Sequence, residues 1–561
     1  MKRDIQKLAQ QEYDLLIVGG GVYGAACAWD ASLRGLKVAL LERADFGWAT
    51  SSNSAKIAHS GSRYLQHADF KRMRESIRER SLIADIAPHL IDQQPYMFPI
   101  YGHGIKGLET MTLYFSIYDL FSIDCRRKKD PARCVPNSRI ISREEVLRIM
   151  PGIKSEGLTG GMVWSEGQMH NTERLTLSRI LSAHERGAEV ANYMEVTEFI
   201  KSENAVIGVE AKDLVSGQTI VVRAKTILNT TGPWAAKTLN LSGEKFKSYG
   251  IHGSKAFSLI TRPLSKEHAL VISHKPIYDD EYAIVNKKSN LSFAIPWRGH
   301  SLVGSLHLPC DDDPDKVSIS EDEIQTYINL INEGYPSAKL CREDVLHVLW
   351  GIIPADKKGS AAPRKHYFIL DHLKEDGLEG FISIVGVKYT TARDVAQKAI
   401  DLVWRKLKRV PVKCRTQDTP VWGGDIEYMN TFMEEAVAKE ADQLSAEVIR
   451  HLVRTYGSAY SKVLAYLDEN PVWKEVIPNS NIIQAEVIYA VREQMAEKLV
   501  DVVLRRTDLG TLGYPGMEPL RLCAQLMAEE LDWNEARIEA ELSEVAKSYI
   551  IRPNIEILCH Q

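Results

Sequence analysis

The sequence predicts an α/β protein with a Rossmann-like dinucleotide-binding domain, an antiparallel-sheet substrate domain and a C-terminal α-helical domain. Three observations predict this fold class. A strand, a glycine turn, a helix and a second strand follow one another over residues 14–42. Short strands occur throughout residues 250–340, and residues 429–548 are rich in Ala, Glu, Leu, Arg and Lys at helical spacing. At 561 residues, the chain is also too long for a single core.

The glycine turn, residues 19–24, fits the pattern G-x-G-x-x-G. Gly19 permits a tight turn, Gly21 lets a pyrophosphate approach the backbone, and Gly24 lets the helix pack closely on the strand. The small-residue helix that follows, Ala25 to Leu33, directs free amide groups at the phosphates. Glu42 ends the second strand, where a carboxylate can bind ribose hydroxyls. The complete pattern predicts a dinucleotide site.

Two further elements favour FAD over NAD. A polar loop, residues 50–56, follows the first unit, and loops at this place in the fold lie over the cofactor. A second strand–glycine–helix element begins at Gly386, where it can bind an anion or cover an isoalloxazine ring. The predicted cofactor contacts beyond the glycine turn and Glu42 are Thr50, Ser51, Ser52, Ser54, Lys56, Val196, Thr231, Gly232, Trp234, Gly386, Lys388, Tyr389 and Thr390.

Composition excludes several classes of function. The net charge of -4 gives no general attraction to nucleic acid. None of the eight cysteines has C-x-x-C spacing, so neither a zinc site nor a redox motif is indicated, and we expect reduced thiols in the cytosol. The N-terminal segment lacks the apolar region of a secretory signal, and no apolar stretch is long enough to span a bilayer.

One apolar and aromatic segment, residues 108–121, has two interpretations. It precedes four basic residues, 126–129. In the first interpretation it is a core helix followed by a solvated basic loop. In the second it is a surface helix that dips into the lipid interface, with the basic residues near anionic head groups.

Several motifs together resemble one family. They are LLIVGGGVYGAACAWDASLRGLKVALLE, TSSNSAKIAHSGSRYL, NTTGPW, IPW at 295–297, GVKYTTAR at 386–393, and a helical tail containing VLRRT. The chain resembles the FAD-dependent glycerol-3-phosphate dehydrogenases, which are quinone-linked members of the D-amino-acid-oxidase-like flavoproteins. The resemblance implies hydride transfer from C2 of glycerol 3-phosphate to flavin N5, and electron transfer to quinone at a membrane surface.

The resemblance also implies roles for individual residues. Arg63 stands at the family's substrate-facing arginine with Tyr64 beside it, and Lys388 stands at the family's lysine near flavin and substrate. A base must accept the proton of the substrate hydroxyl, and His59 and Lys255 are candidates for this role. His170 and His307 are weaker candidates.

Three departures from the family pattern concern the substrate. Ile353 stands where the family has a phosphate-binding arginine, and Lys255 stands where it has a histidine. Ser60 and Ser62 replace a glycine and a leucine. Arg298 or Lys255 is expected to restore the missing charge if the substrate is a phosphate. The alternatives are an oxidoreductase for a hydroxy acid or amino acid, and a flavoprotein with a non-catalytic role.

The expected organisation is an FAD-binding domain (12–75, 155–250 and 340–410) with an interleaved substrate domain (76–154 and 251–339). A linker, 411–425, leads to the helical domain, 426–561. The expected partners are a small anionic substrate and quinone or another electron acceptor. A membrane surface and a second copy of the chain, as a homodimer, are further candidates, and nucleic acid is not expected. The expected location is the cytoplasm, with the inner face of the cytoplasmic membrane as the alternative.

Overall fold

The computed structural model describes residues 1–104, 107–243, 249, 251–276 and 290–549, apart from the side chains at positions 63, 65 and 66. Within these residues the strands form three sheets, which we call the nucleotide sheet, the small sheet and the long sheet. Strands of the long sheet, and the loops that follow the strands of the nucleotide sheet, line one large cavity.

The nucleotide sheet has six strands and is parallel apart from one edge strand. Its strands are short continuous apolar runs because both faces are covered, as parallel sheets require. Helices pack on one face and the small sheet lies against the other. In spatial order the strands are Phe368–Asp371, Phe381–Val385, Ile227–Asn229, Leu15–Val18, Val38–Leu41 and Glu189–Ala191.

The small sheet contains the hairpin that the sequence predicts around Ser216 and Gly217. Its strands 205–213 and 219–224 pair in antiparallel register, and buried and exposed residues alternate along the second strand. The alternation arises because one face packs on the nucleotide sheet. In spatial order the strands are Glu12–Tyr13, Thr219–Ala224, Ala205–Asp213 and Met194–Ser202.

The long sheet is antiparallel apart from one parallel pair, the strands that begin at Ile91 and Ala269. A helix that begins at Glu321 covers one face with its apolar side, and a capping box at Ser320 starts that helix. In spatial order the strands are Val345–Pro354, Gly253–Thr261, His300–Cys310, Asn290–Trp297, Ala269–His274, Ile91–Tyr101, Leu158–Met169 and Ile57–Ala58, and Arg139–Ser142 also pairs with Leu158–Met169.

The α-helices of the first 410 residues connect and cover these sheets. They are Ile5–Ala9, Val22–Leu33, Phe70–Ile86, Leu108–Phe121, Arg143–Ile149, Thr172–Glu185, Ala235–Asn240, Glu321–Gly334, His372–Asp376 and Ala392–Lys406. Strands 158–169 and 345–354 belong to the long sheet by hydrogen bonding, although the expected domain boundaries assign both to the FAD-binding domain.

The C-terminal part of the described chain is helical, as the sequence predicts. Its helices are Met429–Glu440, Ala446–Tyr456, Tyr460–Leu464, Gln484–Gln494, Leu499–Asp501, the π-helix Val502–Arg506, Met517–Leu531 and Glu535–Lys547. Their apolar faces share one core with the helices of the nucleotide sheet, so this domain is packed firmly on the first. The predicted fold class is confirmed.

The apolar segment 108–121 forms a helix at the surface that packs one face on a hydrophobic core, so the interpretation as a core helix holds for that face only. Only Phe115 and Tyr118 of this helix are buried, whereas Leu113 and Leu120 are 64% and 67% exposed. Three of the four basic residues that follow form ion pairs with carboxylates of the same molecule. Among the described helices, none combines the length and the apolar composition that crossing a bilayer requires.

Candidate active site

A cavity of about 940 Å³ opens at the carboxyl ends of the nucleotide-sheet strands. Its volume is near the upper end of the range of roughly 300–1,000 Å³ for ligand pockets. The edge of a parallel sheet where strand order reverses is where such folds bind dinucleotides. Of the predicted cofactor contacts, the lining includes Gly19, Gly21, Val22, Glu42, Thr50, Ser51, Ser54, Val196, Thr231, Gly232, Trp234, Gly386, Lys388 and Tyr389.

The glycine turn has the geometry that its sequence predicts. Gly19 has a φ of +104°, a backbone conformation that residues with a side chain rarely adopt. A Cβ atom at Gly24 would lie 1.9 Å from the Gly19 carbonyl oxygen, so helix and turn can pack only without a side chain there. Gly21 is the N-cap of the helix, and the amide of Val22 donates to Ser51 Oγ at 2.9 Å. The turn and the polar loop therefore form one wall of the cavity.

Glu42 lies at the end of the second strand and is held by three donors. Its carboxylate accepts hydrogen bonds from the amides of Gly20 (2.6 Å) and Ala44 (2.9 Å) and from Nε1 of Trp48 (3.2 Å). Burial raises the pKa of Glu42, although these donors oppose the shift. The carboxylate is fixed at the cavity wall, where the pattern predicts ribose contacts.

The predicted contact Trp234 lines the same end of the cavity together with Trp48, which was not predicted. The ring centroids of Trp48 and Trp234 are 5.3 Å apart, and the Arg43 guanidinium lies 4.4 Å from the Trp234 ring. Asp315 accepts from Trp234 Nε1 at 2.7 Å and pairs with Arg43. Two neighbouring aromatic rings, tilted by 32° to each other, beside a cation suit a planar ligand. Arg43 directly follows Glu42 and Trp48 lies six residues after it, and this position was the signal available in the sequence.

Some predicted cofactor contacts support the wall instead of lining the cavity. Ser52 Oγ donates to the Trp48 carbonyl at 3.1 Å. The Lys56 ammonium is buried against Glu173 at 2.5 Å, and Thr390 Oγ1 accepts from the amide of His59 at 3.0 Å. Gly24 has the packing role described above. These residues fix the shape of the wall.

The second glycine element brings Lys388 to the opposite end of the lining. The Lys388 ammonium lies 3.9 Å from the centre of the Tyr64 ring, and the Arg72 guanidinium lies 4.1 Å from the same ring. Burial lowers the pKa of Lys388, and the charge of Arg72 lowers it further, while Tyr64 opposes both. Arg72 was missed because its position on a charged helix resembles that of a solvated residue. The side chain of Arg63 lies outside the described residues.

Sequence comparison places this geometry in a family. The profile described as "FAD dependent oxidoreductase" matches residues 14–389, and the profile described as "C-terminal domain of alpha-glycerophosphate oxidase" matches residues 414–538. The chain belongs to the FAD-dependent oxidoreductase family. The predictions of an oxidoreductase and of FAD as its cofactor are confirmed.

Individual relatives match over nearly the whole chain. It is 31% identical to the glycerol-3-phosphate dehydrogenase of Synechocystis sp. over 555 residues, which cover 96% of this chain and 97% of that one. The identity to the mitochondrial glycerol-3-phosphate dehydrogenase of Mesocricetus auratus is 30%, covering 97% of this chain and 74% of the relative. A crystal structure of the glycerol-3-phosphate dehydrogenase from Bacillus halodurans complexed with FAD superimposes with a TM-score of 0.76, at 25% identity, covering 97% and 96% of the two chains.

The cavity wall of this oxidoreductase fits FAD. The close approach at Gly19 and Gly24 leaves a cradle of backbone that any Cβ would fill. The amides at the helix start are suited to the pyrophosphate and Glu42 to the ribose. A Cβ at Gly386 would lie 2.0 Å from the Tyr23 ring, so this loop also requires glycine.

The predicted base His59 is held away from the lining by a carboxylate. Its Nδ1 lies 3.1 Å from Glu166 Oε1, and Ser60 donates to the same carboxylate from its amide and its hydroxyl, both at 2.6 Å. Burial alone would raise the pKa of Glu166, but His59 and Arg80 outweigh it and lower the pKa to about 2. Ser60, a departure from the family pattern, thus has a structural role. His170 is engaged similarly, 2.8 Å from a carboxylate oxygen of Asp92.

The two cations expected to replace the family's arginine lie outside the lining. The Lys255 ammonium pairs with Glu323 at 2.7 Å and donates to the Ser318 carbonyl at 2.9 Å, on the face of the long sheet that the helix at Glu321 covers. Arg298 pairs with Asp508 and donates to Thr511 Oγ1 at 2.6 Å. Both side chains point away from the cavity, because the carboxylates that they pair with lie outside its lining. These placements argue against Lys255 as the base and against both residues as phosphate ligands.

Ile353 lines the cavity, together with His252 and His307. Its strand pairs with the one that carries Ser254, and the carbonyl of the preceding residue, Ile352, accepts from Thr50 Oγ1 at 2.9 Å. The backbone here is therefore fixed to the polar loop. An apolar side chain thus lies at the position where the resemblance implies a cation.

Proposed function

We propose that the chain oxidises the secondary alcohol of a small polyol phosphate, with glycerol 3-phosphate as the first candidate, and passes the electrons to quinone. The observation that carries the proposal is the Lys388 ammonium, which belongs to the cavity lining and lies 3.9 Å from the centre of the Tyr64 ring. The Arg72 guanidinium, outside the lining, contacts the same ring. A phosphate that enters a closing site needs cations, because an unpaired buried charge is costly. The relatives that match the whole chain bear the name glycerol-3-phosphate dehydrogenase.

Lys388 is the proposed base. Of the bases predicted from the sequence, His59, His170 and Lys255 are engaged by carboxylates outside the lining, and His307 lines the cavity. Lys388 also lines the cavity and forms no ion pair with a described carboxylate. Burial lowers its pKa, which favours the neutral amine that can accept a proton. In the oxidation, the C2–H bond breaks, the hydroxyl proton goes to the Lys388 amine, and the C2=O bond forms. Bound FAD supplies the acceptor at N5 for the hydride.

The presence of Ile353 in the lining favours a second candidate substrate class. Without the family's arginine, the lining is less suited to a doubly charged phosphate and more suited to a substrate with a single carboxylate. The alternative substrate is therefore a hydroxy acid or an amino acid. A flavoprotein with a non-catalytic role is the third outcome of the same experiment.

The test is an anaerobic mixture of the purified holoenzyme with glycerol 3-phosphate, other polyol phosphates, hydroxy acids and amino acids. Loss of the flavin absorbance with a polyol phosphate is expected, and Lys388→Met is expected to slow it by about a hundredfold or more while it retains FAD. Arg63→Ala is expected to abolish the reaction. Bleaching by a hydroxy acid or amino acid alone would support the second candidate, and no bleaching by any compound would contradict both.

Peripheral membrane contact is part of the proposal, because quinone is dissolved in lipid. The helix 108–121 supports it: Leu113 and Leu120, seven residues apart, lie on one exposed face. Ile123 continues this face and is 58% exposed.

The homodimer stays a prediction, and size-exclusion chromatography with light scattering tests it.

A further inference from the structure

The motif VLRRT, residues 503–507, has no role in the chemistry proposed so far. It overlaps the π-helix Val502–Arg506 of the C-terminal domain, and short π-helical segments are frequent at functional sites. Arg505 and Arg506 are both buried. Buried arginines require partners, and one partner that both arginines share belongs to the FAD-binding domain.

The two arginines converge on one carboxylate. Arg506 Nη2 and Nη1 donate to the two oxygens of Asp45 at 2.6 and 2.7 Å, and Arg505 Nε donates to Asp45 Oδ2 at 2.5 Å. Asp45 is completely buried. Burial alone would raise its pKa, but Arg506 and Arg505 outweigh it and lower the pKa to about 2. Asp45 is therefore ionised and held in a single orientation by the other domain.

A second segment of the FAD-binding domain joins the same network. Asn192 Nδ2 donates to Asp45 Oδ1 at 3.1 Å and to the Met495 carbonyl at 2.8 Å. The Tyr193 hydroxyl donates to Asp501 Oδ1 at 2.7 Å, and Arg505 Nη2 donates to the same oxygen at 2.6 Å. Two arginines thus balance two aspartates in a buried cluster.

Both segments continue directly into the cavity wall. Asp45 lies between Glu42 and Trp48, and its carbonyl accepts from the Trp48 amide at 3.2 Å. Tyr193 precedes Met194, whose amide donates to the Glu42 carbonyl at 2.7 Å. Glu42, Trp48 and Met194 all line the cavity. A displacement of Asp45 or Tyr193 would therefore move the wall at the end where Glu42 is expected to bind ribose.

We propose that Arg505 and Arg506 are positioning residues for FAD: the C-terminal domain holds the segments at Asp45 and Tyr193 in the shape that binds the cofactor. The inference uses the confirmed cofactor and does not depend on the substrate. A buried ion cluster is often no more stabilising than apolar packing, whereas it specifies one geometry. The ion cluster therefore fixes the cavity wall in one geometry, which a non-directional hydrophobic contact would do less well.

The experiment compares FAD release from the holoenzyme and from Arg506→Lys, which keeps the charge and loses the two-pronged contact. We expect the dissociation constant of FAD to rise about tenfold or more, with faster amide hydrogen exchange in residues 43–53. The matched control is Arg34→Lys, because Arg34 forms a similarly buried bidentate pair with Asp30 at the C-terminal end of the helix Val22–Leu33. It should lower Tm and leave FAD affinity unchanged.

Equal effects of Arg506→Lys and Arg34→Lys on FAD affinity would overturn the proposal, because both would then act through stability alone. Unchanged FAD affinity in folded Arg506→Lys would also overturn it. If Arg506→Lys does not fold, Arg505→Lys replaces it. That variant keeps the Arg506 contact, and it should show a smaller increase in the dissociation constant, with no increase contradicting the proposal.

Discussion

The Tyr23 hydroxyl donates a hydrogen bond to the Lys388 carbonyl at 2.7 Å and accepts one from the Lys388 amide at 3.1 Å. It also accepts from the amide of Val387 at 3.1 Å. Burial raises the pKa of Tyr23 to about 12, so the hydroxyl keeps its proton. A side chain within the glycine turn thereby positions the loop that carries the proposed base, although the two residues are 365 positions apart.

Tyr23→Phe tests this link. It leaves two partly buried amides without an acceptor, so we expect the free energy of unfolding to fall by about 1–2 kcal/mol. Because a small displacement of a reacting group can be costly, kcat should fall by about tenfold. Chemical denaturation and anaerobic stopped-flow flavin reduction measure the two effects. Tyr13→Phe is the control, since Tyr13 is buried in the core between the small and nucleotide sheets, and an equal loss of kcat in both variants would contradict the link.

Arg72→Met tests the electrostatic environment of Lys388. The charged and titratable groups around Lys388 include Tyr64, Arg72 and Glu75, and Arg72 lowers its pKa. If neutral Lys388 is the base, kcat/KM rises with pH to a midpoint below the ordinary lysine value. Removal of the Arg72 charge raises the pKa of Lys388, so the midpoint should move to higher pH.

The matched control for Arg72→Met is Arg74→Met, on the same helix, because Arg74 pairs with the exposed Asp124. It should leave the pH profile unchanged. A profile that is identical in wild type and Arg72→Met would show that Arg72 does not influence the base. A rise in KM alone would indicate that Arg72 only binds the substrate anion.

Ile353→Arg tests how substrate specificity is determined. A new charged hydrogen bond to phosphate is worth roughly 1.5–3 kcal/mol, which corresponds to about a tenfold to hundredfold gain in affinity. We therefore expect KM for glycerol 3-phosphate to fall by about that factor. Ile353→Met controls for volume and should leave KM unchanged. If wild type already has a KM in the low micromolar range that the arginine does not improve, Ile353 has no part in phosphate specificity.

His451 predicts a dependence of stability on pH. Its Nε2 lies 3.0 Å from Glu486, and its Nδ1 lies 3.8 Å from Asp508. Burial alone would lower the pKa of His451, but the two carboxylates outweigh it and raise the pKa from 6.5 to about 9. Because the folded state binds the proton more tightly, this stabilisation is complete below pH 6.5 and is lost as the pH rises through about 9.

The expected loss of stability is roughly 3 kcal/mol between those pH values. His451→Gln should abolish this part of the dependence, as measured by urea unfolding at several pH values. His103→Gln, at an exposed pair with Glu109, should leave the dependence unchanged. A wild-type stability that is constant from pH 6 to 9.5 would contradict the prediction.

Leu113→Asp combined with Leu120→Asp tests the proposed membrane surface. Burying two leucines in lipid is worth a few kcal/mol, so the fraction of protein that floats with anionic liposomes should fall about tenfold or more. The control, Leu214→Asp with Val215→Asp, changes exposed apolar residues in the hairpin turn of the small sheet. An equal loss of flotation in both double variants would contradict the proposed membrane contact. So would the absence of any flotation of the wild-type protein at low salt.

The sequence by itself determined the features that depend on neighbouring residues. The glycine turn, the helix that follows and Glu42 lie within 29 residues, and the backbone geometry of Gly19 and the packing at Gly24 follow from the absence of a side chain. The helical character of the C-terminal domain follows from its periodicity in the same way. These predictions needed no information about which distant elements meet.

Only the tertiary structure decided which way the other predicted residues point. Lys255 lies on a strand whose two faces meet different partners, and the pairing with Glu323 turns its ammonium away from the cavity. Arg298 is likewise held by Asp508 of the C-terminal domain. Residue identity gives a side chain its charge, but the element packed against each face decides where that charge is placed.

The tertiary structure also decided which unremarkable residues serve the site. Arg72, Tyr23 and Arg506 have the sequence environments of ordinary helix residues, and each meets its partner across a contact between separate elements. Arg506 lies 461 positions from Asp45. Local propensity and periodicity do not predict such contacts, because they form only when distant parts of the chain pack together in the folded protein.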